Sequence, residues 1–81
     1  MEPLGYLARS TLAQHFADSS QTRKAMEELR FLIQYYPALD ANFYLKLHEL
    51  YLKVGDEAAA RKILTQAKRI FPLDNRVQWR F

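Results

Sequence analysis

Two prolines in matching places divide this chain of 81 residues into units of similar pattern. Pro37 and Pro72 lie 35 residues apart, and sliding the sequence by that interval also aligns its apolar positions. The aligned pairs are Leu12 with Leu47, Phe16 with Tyr51, Ala25 with Ala60, Leu29 with Leu64, Leu32 with Ala67, Tyr36 with Phe71, and Tyr44 with Trp79. A repeat of this length predicts stacked units, because one unit alone cannot bury its own apolar face.

Each unit has the apolar spacing of two helices. In the first unit, Ala25, Leu29 and Leu32 fall on one side of a helix. Pro37 ends that helix, because proline lacks an N–H donor and disfavours helix in the residue before it. The same spacing predicts helices over residues 4–17, 21–36, 41–53 and 57–71, and the start of a fifth after residue 74. Only two glycines and three prolines interrupt the chain, which favours an all-α fold over a many-stranded one.

Short polar segments between the helices carry the residues that begin and end them. Asp18, with Gln21 three residues later, has the spacing of a capping box before the second helix. Gly55 suits the left-handed conformation that ends a helix. The other predicted N-caps are Asp40, Asp56 and either Asp74 or Asn75. The units are therefore predicted to be antiparallel helix pairs joined by short turns.

The second unit resembles a tetratricopeptide repeat. Its matching residues, in the family's order, are Tyr44, Leu47, Tyr51, Ala60, Leu64, Ala67 and Pro72, with Gly55 between the helices. The first unit matches less well, with Arg9 in place of a large aromatic residue and Leu32 in place of alanine. In the second unit, His48 stands in place of a small residue. The resemblance implies one domain over residues 1–81, a right-handed α-solenoid. Repeat one spans about 6–40, repeat two about 41–75, and residues 76–81 begin a third pair or a capping helix.

The resemblance also implies a binding surface. In this family the first helices of the repeats line a groove that receives a peptide or a partner helix. Carried onto this chain, the groove positions are Leu7, Ser10, Gln14, Asn42, Leu45, Glu49, Leu52 and Arg80. The implied function is a protein–protein interaction module, acting as an adaptor, a scaffold or a small chaperone-like subunit of a larger assembly.

A basic stripe suggests an alternative function. The net charge is +3, and residues 41–81 hold eight basic and four acidic residues. Arg61, Lys62, Lys68 and Arg69 recur at a seven-residue spacing along the fourth helix, where an acidic protein or a nucleic acid would dock. No stacking aromatics interleave with these residues, so a solvated helix face is the favoured explanation and nucleic acid is not the expected partner. Association with nucleic acid is kept as the alternative function.

The C-terminal residues predict an apolar end. Val77, Trp79 and Phe81 begin a helix that would expose a tryptophan and a phenylalanine. Such a patch is unusual on a monomer. We therefore expect this end to associate with a second copy, another subunit or further chain.

The sequence lacks the residues that catalysis and metal binding require. The chain has no cysteine, which excludes disulfides and cysteine-ligated zinc. His15 and His48 are 33 residues apart, and neither has a second histidine or a carboxylate four residues after it. We expect no enzyme, no cofactor and no metal. The sequence has neither a signal-peptide pattern nor the ~20 apolar residues of a membrane span, so we expect a cytoplasmic protein or part of a larger one.

Overall fold

A computed structural model describes residues 5–78 of the chain, and within this range the fold is all-helical without strands. The helices are α1 (Gly5–Asp18), α2 (Thr22–Tyr35), α3 (Ala41–Lys53), α4 (Glu57–Ile70) and the short α5 (Asn75–Gln78). The all-α prediction is confirmed. The four longer helices begin and end within one residue of the predicted positions, because prolines and turn residues mark their ends clearly.

Consecutive helices pack against each other, with α1 against α2 and α3 against α4 forming the larger interfaces. Within the first pair, the guanidinium of Arg9 lies 2.9 Å from the carboxylate of Glu28. The rings of Tyr6 and Tyr36 lie 5.7 Å apart. Tyr6, near the start of α1, thus meets Tyr36, which directly follows α2, and the pair is antiparallel. Helix α3 also packs on α2, and α5 packs on α4.

The turns inside the two helix pairs have the same backbone geometry. Ser20 and Gly55, 35 residues apart, both have positive φ, at 63° and 82°. In the first turn the N–H of Gln21 donates to the carbonyl of Phe16 at 2.8 Å. In the second, the N–H of Asp56 donates to the carbonyl of Tyr51 at 2.9 Å. The sequence repeat is therefore a repeat of local structure as well.

The segments that follow each pair differ by one residue. Asp40 caps α3, where its side chain accepts from the N–H of Asn42 at 2.9 Å. Asp74 accepts from the N–H of Arg76 at 2.9 Å, and α5 begins directly after it. Because the second proline is followed by one residue fewer before the cap, α5 starts one residue earlier than a 35-residue interval gives. Val77 is thus the counterpart of Phe43. Trp79, which the sequence pairs with Tyr44, lies outside the described residues.

The capping box predicted before α2 does not form. Asp18 is the last residue of α1, where its carboxylate accepts from the Gln14 amide at 2.8 Å. Gln21 sits at the N-cap of α2 and makes no capping bond with its side chain. Asp56 does cap α4 as predicted, accepting from the N–H of Ala59 at 3.1 Å. A capping box needs Asp18 to stand directly before α2, but Asp18 belongs to the last turn of α1.

The core is centred on α3, which buries seven residues, whereas α1 buries only Ala13. Tyr44 is the largest fully buried side chain of the described residues. Its hydroxyl donates to the carbonyl of Pro37 at 2.6 Å, and its ring meets the ring of Phe71 edge-on. Burial raises the pKa of the Tyr44 hydroxyl. This residue thus fixes the turn before α3 to the end of α4.

Replacing Ala60 with leucine tests the packing of α4. Ala60 is 1% exposed, so added methyl groups must push the helices apart. Ala60→Leu is expected to lower the free energy of unfolding by about 1–3 kcal/mol in a urea titration. Ala58→Leu is the matched control, because Ala58 is exposed on the same helix and should change stability by less than about 0.5 kcal/mol. Equal effects of both substitutions would contradict the observed packing.

The paired turns give a second test with opposite signs. A left-handed backbone costs a residue other than glycine about 1–2 kcal/mol. Glycine avoids this cost, but it also raises the conformational entropy of the unfolded chain, which offsets part of the gain. Ser20→Gly should therefore stabilise the protein by about 0.5–1 kcal/mol, and Gly55→Ser should destabilise it by a similar amount. A side chain at Gly55 would meet nothing within 4 Å, so only the backbone changes. Thermal unfolding of both variants measures this, and shifts of the same sign would refute it.

Candidate functional site

Helix α3 exposes a narrow polar stripe between the elements packed on either side of it. Asn42, Lys46, Glu49 and Lys53 are exposed and recur at helical spacing. Apart from Leu52 at its edge, the other residues of α3 are buried or half-buried. The central helix of the fold thus reaches solvent along a single line of charged and amide side chains.

Hydrogen bonds extend this stripe onto the neighbouring helices. The Lys46 ammonium donates to the side-chain oxygen of Gln14, which joins α3 to α1. The Arg76 guanidinium donates to the side-chain oxygen of Asn42 at 3.0 Å, which joins α5 to α3. We call the surface formed by Gln14, Asp18, Asn42, Lys46 and Arg76 the polar face. It crosses α1, α3 and α5.

An ion pair orients the arginine of the polar face. Arg76 lies 2.8 Å from the carboxylate of Asp74. The hydrogen bond from Arg76 holds the pKa of Asp74 below its usual value, and the same bond raises the pKa of Arg76. Asp74 also caps α5, so one carboxylate both begins the helix and positions the guanidinium against Asn42.

A shallow depression of about 510 Å³ lies where α1 and α3 meet on this face. It is lined by Ser10, Thr11, Gln14, His15, Asp18 and Lys46. These side chains offer hydroxyl, amide, carboxylate and ammonium groups, which form directional hydrogen bonds. The depression therefore suits a polar segment of a ligand better than a bulky apolar one.

The predicted groove residues differ in how exposed they are and in where they lie. Ser10, Gln14, Asn42 and Glu49 lie on or beside the polar face, and Glu49 already has an interaction of its own. Leu7 and Leu52 are about half exposed, at 48% and 49%. Arg80 lies outside the described residues.

Leu45 is the main correction to the predicted groove. It is 4% exposed and belongs to the hydrophobic core, so it does not line an open surface. Helix α3 is covered on two sides, and position 45 falls just outside the narrow arc that remains exposed. Lys46, the next residue, lies in that arc and donates to Gln14 of α1. Arg76 of α5 donates to Asn42 in the same arc. Both a three-residue and a four-residue step from Asn42 fit helical spacing. The four-residue step, which reaches Lys46, is the one that stays in the exposed arc.

The C-terminal end also differs from the prediction. Val77 was expected in an exposed apolar patch, but it is fully buried in the core. It occupies the place that Phe43 has at the start of α3, where the first turn of the helix packs inward. Trp79 and Phe81 lie outside the described residues.

The basic stripe lies on the outer side of α4. Arg61, Lys62 and Arg69 are exposed and line one depression together with Ala58, Ala59, Thr65 and Gln66. Lys68, the fourth predicted member, is half-buried and has an interaction of its own. Helix α4 carries these four basic residues and only one acidic residue, Glu57.

The two histidines are in different environments. His48 is buried in α3 and His15 is exposed on α1, beside the ring of Phe16. Within residues 5–78, no three histidine, cysteine, aspartate or glutamate residues come together in a group able to hold a metal ion. None of the described helices has the length and apolar character needed to cross a bilayer.

No protein-family model, no curated protein and no solved structure matches the chain. The function proposed below therefore rests on the repeated hairpins and on the polar face.

The correction at Leu45 leads to a stability test. Leu45→Ala should cost about 2–5 kcal/mol, because it leaves a cavity in the core. Leu52→Ala should cost less than about 1 kcal/mol, because that side chain is half in water already. Urea unfolding of the two variants makes the comparison, because the same substitution is made at two positions seven residues, or about two helical turns, apart on α3. A larger loss at Leu52 would mean that the placement of α3 is wrong.

Proposed function

We propose that this chain is a protein–protein interaction module of the helical-repeat type, similar to tetratricopeptide repeats. The support is the pair of hairpins with the same turn geometry, 35 residues apart, and the tetratricopeptide-like residues of the second unit. In this proposal the hairpins stack with the right-handed sense of an α-solenoid. The module would serve as an adaptor, a scaffold or a small chaperone-like subunit of a larger assembly.

The observation that carries the proposal is the bridging across the polar face. The hydrogen bonds from Lys46 to Gln14 and from Arg76 to Asn42 already restrict the rotamers of two long side chains. Less side-chain entropy is therefore lost when a ligand binds to them. An ammonium has three donors and a guanidinium has five. The donors that point away from the protein are thus pre-oriented toward a ligand lying across α1, α3 and α5.

The chemistry of the face suggests the kind of ligand. Lys46 and Arg76 favour a carboxylate or a row of backbone carbonyls. Leu7 and Leu52 flank the face and would each contact an apolar side chain. We therefore propose a peptide or partner helix that is polar at its centre and carries an apolar residue near each end.

Nucleic-acid association through α4 is the weaker alternative. Single-stranded nucleic acids bind where aromatic rings stack on bases beside basic side chains. No aromatic residue is among those that line the depression with Arg61, Lys62 and Arg69. An exposed basic helix face without such rings is also what a solvated surface presents.

Selection of peptides from a displayed library against the whole chain tests the proposal. For a selected peptide, Lys46→Glu and Arg76→Glu should each weaken binding by about tenfold or more, measured by calorimetry. Lys62→Glu is the matched control, because it makes the same charge change on α4 and should leave the affinity nearly unaltered. Circular dichroism confirms that each variant is folded. Peptides that lose affinity only with Lys62→Glu would contradict the proposal.

A further inference from the structure

Helix α1 has an exposed stripe whose counterpart on α3 is mostly buried. Ala8, Thr11, Leu12 and His15 recur at the three- and four-residue spacing of one helix side, and all four are exposed. Leu12 is 42% exposed, whereas Leu47, 35 residues later, is fully buried. We call these four residues the α1 stripe.

The difference between the two helices comes from their neighbours. Helix α3 packs on both α2 and α4. At the places of the α1 stripe it carries Lys46, which is exposed, and Phe43, Leu47 and Leu50, which are buried. Helix α1 packs closely on α2, and within residues 5–78 no helix takes the place against α1 that α2 takes against α3. The α1 stripe is therefore an open side of the fold that carries a leucine.

The α1 stripe also differs in charge from the exposed sides of the other long helices. It contains no aspartate, glutamate, lysine or arginine. Arg9 of α1 lies beside this stripe and is paired with Glu28. The exposed basic residues of the other long helices are Arg23, Lys24 and Arg30 of α2, Lys46 and Lys53 of α3, and Arg61, Lys62 and Arg69 of α4. Two copies of a chain with a net charge of +3 repel each other where such basic surfaces meet, whereas two α1 stripes can meet without like charges.

The order of side-chain sizes makes the α1 stripe complementary to itself. Along the chain, two small residues, Ala8 and Thr11, are followed by two larger ones, Leu12 and His15. In an antiparallel pair about a two-fold axis, Ala8 of one copy faces His15 of the other, and Thr11 faces Leu12. Each larger side chain then meets a smaller one, which allows the two helices to pack closely. The axis passes through the middle of α1 (Gly5–Asp18), so the helices overlap along their whole length with opposed dipoles.

We propose that the α1 stripe joins two copies of this chain in an antiparallel, two-fold dimer. Each copy contributes one helix of 14 residues, which is a small interface for a dimer. The association is therefore weak, with a dissociation constant in the micromolar range or above. Thr11 and His15 also line the depression between α1 and α3, so the second copy borders that depression on one side.

Sedimentation of the whole chain at rising concentration tests the dimer. The average mass should increase from that of a monomer toward that of a dimer between about 10 μM and about 1 mM. Leu12→Glu should raise the dissociation constant by about tenfold or more, because it brings two carboxylates close to the axis. Leu73→Glu is the matched control, because Leu73 is 94% exposed outside α1 and the same change there should leave the dimer intact.

Mixing two variants tests the antiparallel pairing itself. Thr11→Lys should weaken the dimer as Leu12→Glu does, because it brings two ammonium groups close to the axis. In an equimolar mixture of the two variants, the new ammonium of one copy faces the new carboxylate of the other. The mixture should therefore associate at least about tenfold more tightly than either variant alone. Circular dichroism confirms that each variant is folded, and if Leu12→Glu unfolds, Leu12→Gln replaces it in the same series.

Three results would overturn the proposal. The chain stays monomeric at about 1 mM, Leu73→Glu weakens association as much as Leu12→Glu, or the mixture associates no better than its components. The first result would mean that the α1 stripe does not join two copies. The second would mean that exposed leucines associate without regard to position, and the third that the two helices are not antiparallel.

Discussion

The fold depends on α3 being packed on both sides. This helix buries seven residues, and Tyr44 among them joins the turn before α3 to the last residues of α4 through its hydroxyl and its ring. A chain of this size buries a modest share of its surface, so a single well-covered helix accounts for much of the apolar core. The outer helices are less completely covered. Leu12 is 42% exposed, because no described helix packs on that side of α1, whereas its counterpart Leu47 is fully buried.

The candidate surface follows from this arrangement. Because α3 is covered on two sides, only one arc of it reaches solvent, and the polar side chains there are bridged to α1 and α5. The polar face is thus the remaining open side of the central helix. Its polar side chains are held by a repeated backbone.

Most of the fold was predictable because helices are ended by local signals. Prolines, Gly55 and the capping aspartates mark boundaries that need no knowledge of tertiary contacts. The site was less predictable, since exposure depends on what packs beside each helix. Leu45 looked like a groove residue by analogy and is core, whereas Lys46 was missed. Arg9 departs from the tetratricopeptide pattern, and the structure explains it by an ion pair with Glu28 and by its place over the ring of Phe31, 3.6 Å from the ring centre.

Mapping a bound peptide by nuclear magnetic resonance tests the central claim most directly. The measurement follows the backbone amide signals of the whole chain while a peptide selected for binding is added. The largest shifts are expected on the exposed residues of α1, α3 and α5, with Gln14, Asn42, Lys46 and Arg76 among them. Shifts confined to the outer sides of α2 and α4, with these four residues unmoved, would contradict it.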